Sequence, residues 1–118
     1  MSSSTHSYTH SYEWRGQRRH VLIVRSAAAV DRALEEIWPR IGAVTLDCEF
    51  LREPRSNEPA IVSLSFGPHL ALIWHRPNPD HSRQIPAKLA QLLTSPKCPK
   101  IGFSIHVWTR STRFRGFT

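Results

Sequence analysis

Asp47 and Glu49 stand one residue apart in Val44-Thr45-Leu46-Asp47-Cys48-Glu49-Phe50, at the end of an apolar run. In an extended strand, residues two apart project from the same face, so the two carboxylates can converge on one point while Cys48 faces the opposite way. Two like charges held together repel, and one takes up a proton unless a cation or a basic partner neutralises them. A divalent metal does this well, and hard oxygen donors suit magnesium or manganese, whose usual partners are phosphates. Zinc would favour His or Cys. The plainer reading is that Asp47 and Glu49 end a strand in solvent beside Arg52 or Arg55, because an Asp-x-Glu triplet is frequent by chance.

The elements needed to position that pair are legible on both sides of it. Val21-Leu22-Ile23-Val24 is a short β-branched run that reads as a strand. Ser26 then stands as an N-cap before a helix in which Val30, Ala33, Leu34 and Ile37 share one face, as required of a helix that covers a sheet. Pro39 and Gly42 close it. The strand Ala43 to Asp47 leads into the carboxylates, and a polar loop with Pro54 and Pro59 follows. Ala60 to Phe66 and Leu70 to Trp74 flank the Gly67-Pro68 turn, as in an antiparallel hairpin. After the loop His75 to Gln84, Pro86 opens a short helix through Leu93, and Ile101 and Phe103 mark a last strand. The order strand, helix, strand, strand, strand, helix, strand implies an α/β layer structure with a mixed sheet.

The chain has 118 residues, with sixteen Lys and Arg against nine Asp and Glu, for a net charge of +7. That length suits one small domain, and that charge attracts polyanions, either nucleic acid or an acidic membrane surface. No run approaches the roughly 18 apolar residues of a membrane-spanning helix, and the first residues lack the apolar core of a secretory signal. The expectation is an intracellular protein, nuclear or cytoplasmic, with Cys48 and Cys98 reduced and Cys48 filling a small core position. Residues 1 to 19 carry a direct repeat, Thr5-His6-Ser7-Tyr8 and Thr9-His10-Ser11-Tyr12, and no apolar period, which implies a disordered tail. His6 and His10 would share a helix face, although nothing pre-organises them as metal ligands.

The runs VTLDCEFLRE, PAIVSLSFG, LALIWH and LAQLLTSPKCPKIGFSI, in that order and spacing, resemble the beginning of the 3′-5′ exonuclease domain of the DEDD superfamily, in the branch that includes ribonuclease D and the Werner syndrome exonuclease. The resemblance covers residues 20 to 107. It implies a ribonuclease H-like mixed sheet with flanking helices and removal of nucleotides from a 3′ end by two divalent metals, magnesium or manganese. The family's first motif, hydrophobic-Asp-x-Glu-Phe, is matched by Leu46, Asp47, Glu49 and Phe50. Asp47 would then bridge both metals and Glu49 would bind one; one ion activates the attacking water and the other stabilises the leaving oxygen.

Lys100-Ile101-Gly102-Phe103-Ser104-Ile105 resembles the lead into the second motif, and there the match stops. A third Asp follows that Gly by about half a dozen residues in the family, whereas His106, Val107 and Trp108 occupy the region here, and no Asp or Glu occurs after Asp80. The last motif, a Tyr or His preceding a fourth Asp, has no counterpart. The expectation is therefore a partial exonuclease domain with weak or no activity as given, since two carboxylates supply few of the oxygens magnesium needs. The alternative is a non-catalytic nucleic-acid-binding module. Residues 108 to 118 form a divergent basic tail in which Arg110, Arg113 and Arg115 alternate with Phe114 and Phe117, as in single-strand binders or in a solvated basic end. His69, His75, His81 and His106 are scattered surface or core residues. Preference for DNA or RNA and the oligomeric state have no sequence signal.

Overall fold

A computed structural model describes residues 7–38, 42–51, 59–76 and 85–103. Two strands, β1 (Ser7–Trp14) and β2 (Gln17–Val24), precede helix α1 (Ala27–Ile37). Strands β3 (Val44–Phe50), β4 (Pro59–Ser65) and β5 (Leu70–His75) follow, then helix α2 (Ala87–Thr94) and strand β6 (Lys100–Phe103). They form one mixed sheet in the order β1-β2-β5-β4-β3-β6. The pairs β2/β5 and β3/β6 are parallel, and β1/β2, β3/β4 and β4/β5 are antiparallel.

From β2 onward the order matches the sequence expectation. The local signals are also in place. The Ser26 hydroxyl accepts the Ala29 N–H at 3.1 Å, which satisfies one orphan donor of α1. Gly67, at φ +87°, supplies the left-handed residue of the β4–β5 turn. Helix α2 starts at Pro86 without a side-chain cap of its own, and Asp31 of α1 accepts the Lys88 N–H there at 2.8 Å. At its other end, the Lys100 ammonium donates to the carbonyls of Leu92 (3.1 Å) and Ser95 (2.7 Å), tying β6 to the end of the helix.

Both helices bury against one face of the sheet. Val24, Val44, Leu46, Cys48, Val62, Leu64, Leu72 and Trp74 form that face, and Val30, Ala33, Leu34, Leu89, Leu92 and Leu93 close over it. Arg76 is buried at the end of this layer, with its guanidinium 4.6 Å from the Trp74 ring and donating to the Pro59 carbonyl at 3.2 Å. No helix among the described residues is long and apolar enough to cross a membrane.

The expected tail, residues 1 to 19, needs correction over its described part. Ser7–Trp14 pairs along its whole length with Gln17–Val24 across a two-residue turn. Arg15 (φ +53°) and Gly16 (φ +76°) both take the left-handed conformation that suits such a turn to the twist of its strands. The strand lies at the sheet edge and its described residues are exposed, so no apolar alternation marks it in the sequence. Its alternating Tyr12 and Trp14 were the available signal. His6, the segments around Arg52, Arg55 and His81, and the basic tail from Ser104 onward lie outside the described residues.

Candidate functional site on the open face of the sheet

The residues between the buried positions of each strand form a second face, which no described helix covers. On β3 the alternation is strict: Val44, Leu46 and Cys48 are buried, and Thr45, Asp47 and Glu49 are exposed. The strand therefore places both sequence-predicted carboxylates on the open face, with Cys48 behind them in the core. Residues two apart on a strand lie about 6.8 Å from each other along the backbone. Asp47 Oδ1 accepts the N–H of Cys48 at 3.0 Å, which holds that carboxylate close to its own backbone. Among the described residues neither carboxylate has an ion-pair partner; the plain alternative of pairing with Arg52 or Arg55 concerns residues outside them.

The neighbouring strands define what stands beside the pair. Ser63 of β4 lies opposite Asp47 and Ile61 opposite Glu49, and His75 of β5 follows Ile61 in the same row. Sequence spacing gave no hint of these neighbours, since only the register of the sheet sets them. Between Glu49 and Phe50 the pairing slips, because Phe50 faces Pro59 and Ala60 is passed over. Such a bulge bends a strand and re-aims its side chains, and here it falls directly beside Glu49. On the other flank β6 runs parallel to β3, with Ile101 opposite Thr45 and Phe103 opposite Asp47. Lys100 to Phe103, the run that resembles a lead into a second motif, thus reaches the level of the first carboxylate.

The donor chemistry of Asp47 and Glu49 fits a hard divalent cation, but their number is small. No group of three or more His, Cys, Asp or Glu that could hold a metal occurs among the described residues. Asp47 and Glu49 border none of four well-formed cavities among the described residues. One of about 380 Å³, bordered by Thr9, Leu22, Ala33, Glu36, Ile37 and Leu70, opens on the helix side, where the β1–β2 hairpin passes α1. Its lining is mostly apolar, with a single carboxylate, and it holds no constellation for catalysis. Cys48 is no nucleophile either: burial, and secondarily the Asp47 charge, push its thiol up to about 12 against an opposing pull from Arg76. The Cys98 thiol is also raised by burial, with Lys100 opposing.

No family model, no curated protein and no solved structure matches this chain.

Proposed function

We propose that this chain carries the first part of a 3′-5′ exonuclease-type domain that acts on nucleic acid, with Asp47 and Glu49 as its metal-binding carboxylates. The observation that carries the reading is their joint exposure on an otherwise well-packed strand, with β6 delivered in parallel to Asp47. Packing does not require two acids at these positions, and like charges on one face are unfavourable without a counter-ion. The ribonuclease H-like fold belongs to the same proposal and is supported by the mixed sheet and its flanking helices. Magnesium or manganese, when bound by Asp47 and Glu49, would supply charge neutralisation at a phosphodiester and activate water. The chain's own contribution is to hold the two carboxylates on a strand paired on both sides and to present them on a face that no described helix covers.

With two carboxylates on the described face, the activity is expected to be weak. Incubation with an end-labelled single-stranded oligonucleotide and manganese, beside an Asp47→Ala variant, tests the assignment. Loss of shortened products in the variant is expected; equal product from both proteins would remove Asp47 from the chemistry. A second reading, binding to nucleic acid without cleavage, is favoured by the net charge of +7. It requires affinity to fall steeply with salt, because phosphate contacts release counterions.

A further inference from the structure

The open face continues from the carboxylates across β4, β5 and β2 to the edge strand β1, where its character changes. His10, Tyr12 and Trp14 lie on this face, since His10 pairs with Val21 and Tyr12 with Arg19, and Ile23 and Ile73 share the row of Asp47. Trp14 is 55% exposed and Tyr12 42%, among the most exposed large apolar side chains described. Both are therefore dispensable to the core.

These rings stand beside positive charge at the same end of the hairpin. The His10 and Tyr12 rings stack with centroids 6.1 Å apart and planes inclined by 26°. Arg15 sits with its guanidinium 5.7 Å from the Trp14 ring, projected there by a backbone conformation that side-chain-bearing residues rarely adopt. Arg19 lies on the same face opposite Tyr12, whereas Arg18 and the hairpin's one acid, Glu13, face the other way and pair with each other at 3.6 Å. Beside Tyr12 opens a cavity of about 130 Å³ bordered by Arg19, Ser65, Pro68 and His69. Arg19 donates from Nη1 to the Pro68 carbonyl, yet its buried Nε has no hydrogen-bond partner among the described residues. A buried donor of that kind is costly unless water or a ligand completes it.

We propose that the turn end of the β1–β2 hairpin is a platform for single-stranded nucleic acid, on which bases stack against Trp14 and Tyr12 while Arg19 and Arg15 hold phosphates. Exposed rings flanked by cations are the combination that binds single strands without reading sequence. The spacing agrees with it. Successive residues on one face of a strand lie about 6.8 Å apart, twice the per-strand interval of about 3.4 Å between stacked nucleotides. A ring can therefore alternate with bases. The platform lies four strands from Asp47, a lateral separation of about 19 Å, so it would grip nucleotides remote from the carboxylates. This inference rests on the nucleic-acid reading above but does not depend on catalysis.

Binding of the full chain to fluorescein-labelled oligo(dT) of roughly 16 nucleotides, in EDTA, tests it by fluorescence anisotropy. Tyr12→Ala and Trp14→Ala remove no charge, and each is expected to weaken binding roughly tenfold or more. Affinity equal to that of the unmodified chain overturns the platform. Because an alanine at either site can loosen the hairpin, a second measurement uses Trp14→Phe. The oligonucleotide should quench tryptophan emission in the unmodified chain, and Trp14→Phe should lose that quench while keeping most of the affinity. A quench that survives Trp14→Phe overturns the proposal, as does a Trp14-dependent quench by phosphatidylserine vesicles with none by oligonucleotide. Ring-dependent binding alongside equal product from the unmodified chain and Asp47→Ala would uphold the platform and remove catalysis alone. Unchanged affinity in the ring variants with Asp47-dependent cleavage would do the reverse.

Discussion

The two faces of the sheet are made from alternate residues of the same strands and have opposite chemistry. On the covered face, Leu46, Leu64 and Leu72 are fully enclosed beneath two helices. On the open face, the intervening positions carry Thr45, Asp47, Glu49, Ser63 and His75, together with the half-buried Ile61 and Ile73. A single step along β3 moves from a core thiol to a solvated carboxylate. Stability therefore concentrates on one face, and residues on the other can be changed with little effect on the fold. The open face has room for chemistry because the covered face holds the domain together.

The largest test of that contrast pairs neighbours on β4. Leu64→Ala removes a fully buried side chain and should cost about 2–5 kcal/mol in urea denaturation, a large share of the roughly 5–15 kcal/mol that holds a domain folded. Ser63→Ala, one residue away and facing outward opposite Asp47, should stay within about 0.5 kcal/mol. Similar losses from both substitutions would break the contrast.

The covered face should also set the alkaline limit. The Cys48 thiol ordinarily titrates near 9.0 and is pushed up to about 12, first by burial and then by the Asp47 charge. Between those values the folded thiol keeps a proton that the unfolded chain has released. The stability present below pH 9.0 is therefore lost as pH rises toward about 12, by up to about 1.4 kcal/mol for each pH unit. Chemical denaturation at stepped alkaline pH checks this, and Cys48→Ala should flatten that part of the slope.

A smaller sharpening concerns the helix that covers the core. Ser26→Ala removes the acceptor of the Ala29 N–H and should cost about 1 kcal/mol. That cap was legible in the sequence, as were the amphipathic face of Val30, Ala33 and Leu34, the Gly67-Pro68 turn and the element order from β2 onward. Each is a local signal, set by residues a few positions apart. The pair Asp47 and Glu49 was equally legible, because strand alternation fixes which residues share a face. Register was not. Ser63 opposite Asp47, the bulge at Glu49 and Phe103 alongside depend on pairing between distant segments, which local sequence does not encode. The hairpin Ser7–Val24 was missed at its first strand for the opposite reason: the signal was local but polar, and an edge strand has no need of an apolar face.

The smallest expected effect tests whether the two faces communicate. Asp47→Asn keeps a carbonyl oxygen where Oδ1 accepts the Cys48 N–H at 3.0 Å and removes one of two like charges on the open face. As an exposed substitution that retains its hydrogen bond, it should shift unfolding by less than about 0.5 kcal/mol. A clear loss of stability would instead make Asp47 a structural strand-end residue. Yet Asp47 is also the second cause that raises the Cys48 thiol, acting through one backbone step from the opposite face. Its neutralisation should therefore lower the Cys48 pKa, moving the onset of thiolate ultraviolet absorbance to lower pH. An unmoved onset would show that the charge on the open face is screened by solvent before it reaches the core, whereas a shift without loss of stability would show the faces joined electrostatically while separate in packing.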